Sequence, residues 1–125
     1  MRSFKTTALS ISIIAFLLAI IWCLEPQLLL NLWGFKDTSA VLARFLSFRI
    51  AALFLGFSVI FYGIRLQANS QARITVVTGF CIGCVALAIS GLAELISREA
   101  NFLILLSVAT EIGLAVWLWT VRNNN

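Results

Sequence analysis

Three ionisable residues, Arg49, Glu94 and Glu111, lie within or at the end of long apolar stretches of this 125-residue chain. A charge at the centre of a bilayer costs about 2.5–3.5 kcal/mol on insertion scales, so such residues usually face a polar cavity or an oppositely charged partner. One arginine can pair with one carboxylate and leave the second free to bind a proton or a cation. The residue types therefore predict an intramembrane polar cluster of Arg49, Glu94 and Glu111.

This cluster has two interpretations. In the functional one, Glu111 is a proton- or cation-binding carboxylate that works with Arg49. In the structural one, Arg49 pairs with a glutamate and fixes the register of two helices. Glu94 is also one helical turn before Arg98, so it could instead be an interfacial residue that pairs with that arginine.

Two of the three cysteines form a C-x-x-C sequence, Cys81-Ile-Gly-Cys84. This spacing is a redox signature where it opens a helix, because the helix dipole stabilises a thiolate there. Here it lies well inside an apolar stretch, and the chain has no histidine to assist. Apolar packing is therefore favoured over redox chemistry or binding of a soft metal such as Cu(I).

The remaining sequence offers little for catalysis. The absence of histidine excludes histidine-ligated metal sites and a histidine general base. No nucleophile–base pair or phosphate-binding loop is recognisable. We expect no enzymatic activity and no cofactor.

The elements that must position these residues are membrane spans. Hydrophobic residues make up 62% of the chain, whereas a soluble domain is about 45–50% apolar. Segments 8–24, 45–64, 74–93 and 102–121 are each long enough to cross a bilayer. The first exceeds the usual apolar core of a signal peptide and has no A-x-A site after it, so it reads as a retained helix. We predict one all-α domain over residues 1–125, an antiparallel bundle of four transmembrane helices.

The basic residues predict an orientation. With the N-terminus inside, the cytoplasmic flanks hold Arg2, Lys5, Arg65, Arg73 and Arg122, and the outer side holds Lys36, Arg44 and Arg98. This excess favours both termini in the cytoplasm. Because the basic residues are dispersed, we expect no nucleic-acid binding.

The segment between the first two spans predicts a short interfacial helix. Pro26 suits a first helical turn, and Gly34 suits a C-terminal cap after a leucine-rich stretch that ends at Trp33. Polar residues 37–39, Asp-Thr-Ser, then supply capping groups for the second span.

Small residues at intervals of three or four predict where the helices meet, because membrane helices associate through close packing. The predicted packing glycines are Gly56 and Gly63 in the second span, and Gly79 and Gly83 in the third. Arg49, Glu94 and Glu111 share these small-residue stripes, so we expect the charges to face inward. Alternatively, the stripes are faces for self-association into a homodimer.

The chain resembles a known family at several positions. These are Pro26, Trp33-Gly34-Phe35, the segment from Phe48-Arg49 to Gly56, and Thr110-Glu111. It is similar here to the small four-helix bacterial membrane proteins grouped as domain of unknown function family 4345. The resemblance implies a four-helix fold in a bacterial inner membrane, with Arg49 and Glu111 as shared residues. The family has no assigned activity.

Two functions are compatible with these features. The first is a non-enzymatic accessory or structural component that contacts the lipid bilayer and a larger membrane complex. The second is a small dimeric proton-coupled transporter or channel that uses the Glu/Arg cluster.

Overall fold

All regular secondary structure in the described part of the chain is α-helical. The computed structural model describes residues 3–35, 40–98 and 100–124, of which residues 40–42, 44 and 45 are described by their backbone alone. The helices are α1 (Phe4–Leu24), α2 (Pro26–Leu32), α3 (Ala40–Ile64), α4 (Gln71–Ile96) and α5 (Ile104–Val121). All except α2 are long and apolar enough to cross a membrane. The prediction of an all-helical fold with four long apolar helices is thus confirmed for the described residues.

Serine caps explain why two helices begin before the predicted spans. Ser3 Oγ accepts a hydrogen bond from the Thr6 amide, and Ser70 Oγ accepts one from the Arg73 amide, each at 3.3 Å. Each serine satisfies an amide that the first turn leaves without a helical partner. The helices therefore extend past the apolar residues, to Phe4 and Gln71.

The short helix α2 has the termini that its sequence predicts. Pro26 occupies its first position. At the other end, Gly34 has φ +89°, and the amides of Gly34 and Phe35 donate to the carbonyls of Asn31 and Leu30 at 3.1 and 2.9 Å. These bonds form a Schellman motif, which requires a left-handed residue and so favours glycine. The capping role predicted for residues 37–39 lies outside the described residues.

Helix α1 packs mainly on α3. The face that α1 buries is rich in small residues, namely Ala8, Ser12, Ala15 and Ala19, with Ile11 and Trp22. Ser12 Oγ donates to the Ser58 carbonyl oxygen at 2.7 Å, and Ser58 Oγ donates to the Ser12 carbonyl oxygen at 2.9 Å. Such reciprocal bonds between close backbones are typical of helix pairs in membranes.

Helices α4 and α5 form the second closely packed pair. A Cβ added to Gly91 in α4 would lie 2.8 Å from Val108 Cγ2 in α5. Only glycine allows this approach without a shift of Val108 or of one helix. Asn101, just before α5, donates from its backbone amide to the Trp33 carbonyl and from Nδ2 to the Leu32 carbonyl, at 2.9 and 3.1 Å. The connection between α4 and α5 therefore holds the end of α2.

The two helix pairs meet in one apolar core. It contains Phe4, Ala8, Ile11, Phe61, Val77, Cys81, Cys84, Ala115, Leu118 and Val121. Phe61 of α3 contacts Phe80 of α4 edge-on, with ring centroids 4.7 Å apart. This core joins the beginnings of α1 and α4 to the ends of α3 and α5.

The outward faces of the four long helices are apolar. Large side chains with half or more of their surface exposed occur on each of them, including Ile13, Leu17, Leu53, Val59, Ile82, Ile89, Leu106 and Val116. A soluble monomer rarely exposes so large a continuous apolar surface. This surface is suited to lipid acyl chains.

Candidate functional site

Glu111 lies on the inner side of α5 with a half-buried side chain. Its Oε1 accepts a hydrogen bond from Ser107 Oγ, one turn earlier, at 3.1 Å. Its Oε2 is buried and has no hydrogen-bond partner among the described residues. A buried carboxylate oxygen without a donor is costly when charged, so this atom is suited to holding a proton.

Two further groups lie near Glu111 on α4. The Glu94 carboxylate is close enough for its charge to act on Glu111, and the charge of Glu111 acts on the Cys84 thiol. Glu94 is half-buried in the last turn of α4. Glu94 and Glu111 thus lie within electrostatic range of each other on neighbouring helices, and the predicted polar cluster stays a prediction.

Arg49 is placed differently. It lies in the first half of α3, and its side chain is exposed in the single chain. The predicted pairing of Arg49 with a carboxylate stays a prediction, as does the inward orientation of its charge.

The C-x-x-C cysteines are buried core residues. Cys81 and Cys84 are 7% and 6% exposed and belong to the apolar core. The Cys81 thiol donates to the Ala115 carbonyl on α5 at 3.5 Å. Both therefore act as packing side chains between α4 and α5, as the apolar interpretation expects.

The four predicted packing glycines face away from the other helices of the chain. A Cβ added to Gly56, Gly63, Gly79 or Gly83 would meet no atom within 4 Å. The faces that α3 and α4 bury instead contain Ser47, Ala51 and Ser58, and Val77, Cys81, Cys84, Ala88 and Gly91. The packing role of the four glycines stays a prediction, and it would need contacts from outside this chain.

The most buried charged residue in the described part of the chain is not among the predicted site residues. Arg73, in the first turn of α4, is 2% exposed. Its Nε and Nη2 donate to the Arg122 carbonyl at 3.2 and 2.6 Å, Nη1 donates to the Gln67 carbonyl at 2.9 Å, and Nη2 also donates to the Asn124 carbonyl. Its guanidinium lies over the Phe4 ring, 3.7 Å from the centroid.

Arg73 therefore joins the beginning of α1, the α3–α4 connection and the end of α5. Carbonyls at the end of a helix have no intrahelical partner, and a guanidinium can satisfy several of them. The sequence marks Arg73 as a basic residue flanking a span, and this flanking position gave no sign of burial. Arg73 is buried because the fold brings Phe4 and Arg122, from the two ends of the chain, into contact with its guanidinium.

Among the described residues, the arrangement offers an unpartnered carboxylate oxygen on Glu111 of α5 and a deeply buried arginine, Arg73, that binds carbonyls. The first is suited to proton binding and the second to holding helix ends together. Comparison of the chain with protein-family models, with curated proteins and with solved structures finds no match. The function must therefore be inferred from these residues.

Proposed function

We propose that the chain is an integral membrane protein whose four long helices span the bilayer as an antiparallel bundle. The apolar outward faces of these helices support insertion. The convergence of Lys5, Arg65, Arg73 and Arg122 near one end of the helices supports a cytoplasmic position for both termini. Helix α2 then lies at the opposite interface. The resemblance to a bacterial family favours a bacterial inner membrane.

Its role in that membrane is non-enzymatic, as an accessory or structural component of a larger assembly. This proposal rests on the hydrogen-bond partners of the buried polar side chains. Ser12, Ser58 and Arg73 bind the backbone of other elements of the same chain. By contrast, the faces of α3 and α4 that carry Gly56, Gly63, Gly79 and Gly83 are open to a helix from another chain.

Native mass spectrometry of the tagged protein tests this role. The protein would be extracted from the membranes of its own host in a mild detergent. We expect reproducible co-purification with a larger membrane complex. Recovery of a homodimer alone would contradict the accessory role and favour transport.

A second function is supported by the buried Oε2 atom of Glu111. A small proton-coupled transporter needs a carboxylate that gains and loses a proton within the membrane. Glu111 has one oxygen without a described hydrogen-bond partner. The carboxylate of Glu94 is a second acidic group, within electrostatic range of Glu111. Dimerisation would provide the further helices that a transport pathway requires.

Reconstitution of Glu111→Gln into proteoliposomes separates the two functions. If the protein transports, the substitution should abolish pH-dependent proton flux while the protein still folds, because glutamine cannot release a proton. Glu25→Gln is the matched control, since Glu25 is an exposed acid outside the spans. The accessory role predicts no protein-dependent flux in any of the three proteins.

A further inference from the structure

A cavity of about 350 Å³ lies at the end of the molecule where α1 and α4 begin. Its lining residues are Ser3, Phe4, Lys5, Arg65, Leu66, Gln67, Ala68 and Arg73. Several of them, including Lys5 and Leu66, are exposed, so the cavity opens at the surface. The serine, the glutamine and the three basic residues place polar groups in a wall whose surface is otherwise mostly apolar.

The charge of this cavity is entirely positive. Lys5, Arg65 and Arg73 line it, and none of the described residues in its wall is acidic. Segments 1–24, 56–93 and 112–125, which include every lining residue, contain no aspartate or glutamate. The positive charges are therefore not balanced by any acidic side chain in these segments, and an anion would be attracted to the cavity.

The arginine side chains are held in place before any ligand binds. Four hydrogen bonds to carbonyls orient the Arg73 guanidinium and use four of its five N–H groups. The Arg65 guanidinium lies 3.4 Å from the centroid of the Tyr62 ring and donates to the Tyr62 carbonyl. Such preorganisation lowers the entropy that is lost when a ligand binds.

We propose that this cavity binds the phosphate group of an anionic phospholipid. Guanidinium groups and a lysine suit a phosphate, and basic pockets among helices at the cytoplasmic side of a membrane bind lipid headgroups. Leu66 in the cavity wall and Tyr62, which contacts Arg65, are 65% and 54% exposed. Both side chains offer apolar surface to the acyl chains. This inference rests on the proposed membrane insertion.

Native mass spectrometry with added lipid tests the inference. The delipidated protein in detergent would be titrated with phosphatidylglycerol, and the bound fraction compared between wild type, Lys5→Gln, Arg65→Gln and the double variant. Each lost charge should weaken binding about fivefold, and the double variant about 25-fold. Arg73 is left intact because its loss would disturb folding. Arg98→Gln removes an exposed charge that does not line the cavity and should bind as wild type does.

Two further ligands identify the source of the phosphate. Phosphatidylcholine, whose headgroup has no net charge, should bind at least fivefold more weakly than phosphatidylglycerol, and inorganic phosphate should not displace the bound lipid. Equal weakening in Arg98→Gln and Lys5→Gln would overturn the inference, because attraction would then be general rather than local. Displacement by inorganic phosphate would also overturn it and indicate a soluble-anion site.

Failure of this inference can be distinguished from failure of membrane insertion. Protein that remains in membranes after an alkaline carbonate wash is inserted, whatever its lipid preference. Retention in the wash without selective phosphatidylglycerol binding would therefore refute the lipid site alone.

Discussion

Serine and arginine side chains join helices in this protein in addition to its apolar core. In a bilayer, lipid tails compete equally well for apolar faces, so association depends on close packing and on hydrogen bonds between helices. Ser12 and Ser58 exchange two such bonds between α1 and α3. Arg73 binds carbonyls from two other segments. These residues are therefore central to the stability of the fold.

The serine pair gives a quantitative prediction. Ser12→Ala and Ser58→Ala should each lower the free energy of unfolding by about 0.6 kcal/mol, the average for hydrogen bonds between membrane helices. A double-mutant cycle should show coupling, because the two hydroxyls also lie 3.3 Å apart. Unfolding in mixed micelles with increasing sodium dodecyl sulfate measures the change.

Ser90→Ala is the control for this cycle, because Ser90 is exposed on α4. It should leave the free energy of unfolding unchanged. Strictly additive effects of Ser12→Ala and Ser58→Ala would show that the two side chains do not interact.

The helices themselves were predictable, but the faces that they bury were not. Hydropathy located all four spans to within a few residues, and Pro26 and Gly34 marked the ends of α2. On α3, however, the small-residue stripe through Gly56 and the buried stripe through Ser58 have similar spacing and differ in rotation about the axis. In a membrane helix both faces are apolar, so the sequence has no polar side to orient it.

Substitutions of two glycines of α4 test which face of this helix packs against a neighbouring helix. Gly91→Ala places a methyl group against Val108, so it should lower the free energy of unfolding by about 1–3 kcal/mol. Gly83→Ala meets open space and should leave it unchanged or raise it by up to about 1 kcal/mol. Unfolding in mixed micelles measures both. Equal destabilisation by the two would show that the Gly83 face also packs closely, against a second chain.

The docking of α2 depends on Asn101. Its amide group donates to the Leu32 carbonyl, and its Oδ1 accepts from the Leu103 amide. Asn101→Ala removes both bonds, so amide hydrogen exchange in residues 26–35 should become several-fold faster while exchange in α3 is unchanged. Hydrogen exchange with mass spectrometry measures this directly.

Asn123→Ala is the matched control, because Asn123 is exposed and follows the C-terminal end of α5, whereas Asn101 precedes its N-terminal end. It should leave exchange in residues 26–35 as it is in the wild type. Unchanged exchange in Asn101→Ala would show that the Schellman motif alone holds α2.

Charge and hydropathy divide the molecule along the proposed membrane normal. All five acids of the chain lie in segments 25–37 and 94–111, which also hold Lys36 and Arg98, while Lys5, Arg65, Arg73 and Arg122 lie in segments that contain no acidic side chain. The apolar faces of the four long helices lie between. This distribution of charge can be read from the sequence alone, because it depends only on the order of charges and apolar segments. The membrane orientation inferred from it stays a prediction. The cavity at the positive end depends on three separate segments and could not be predicted in that way.

Side-specific labelling of two engineered cysteines tests the membrane-spanning arrangement most directly. Ala68→Cys and Ser97→Cys place exposed thiols before and after α4, in a chain whose native cysteines are replaced by serine or alanine. A membrane-impermeant maleimide should label Ala68→Cys only in inside-out vesicles and Ser97→Cys only in right-side-out vesicles. Labelling of both from the same side would contradict a bundle of four spanning helices.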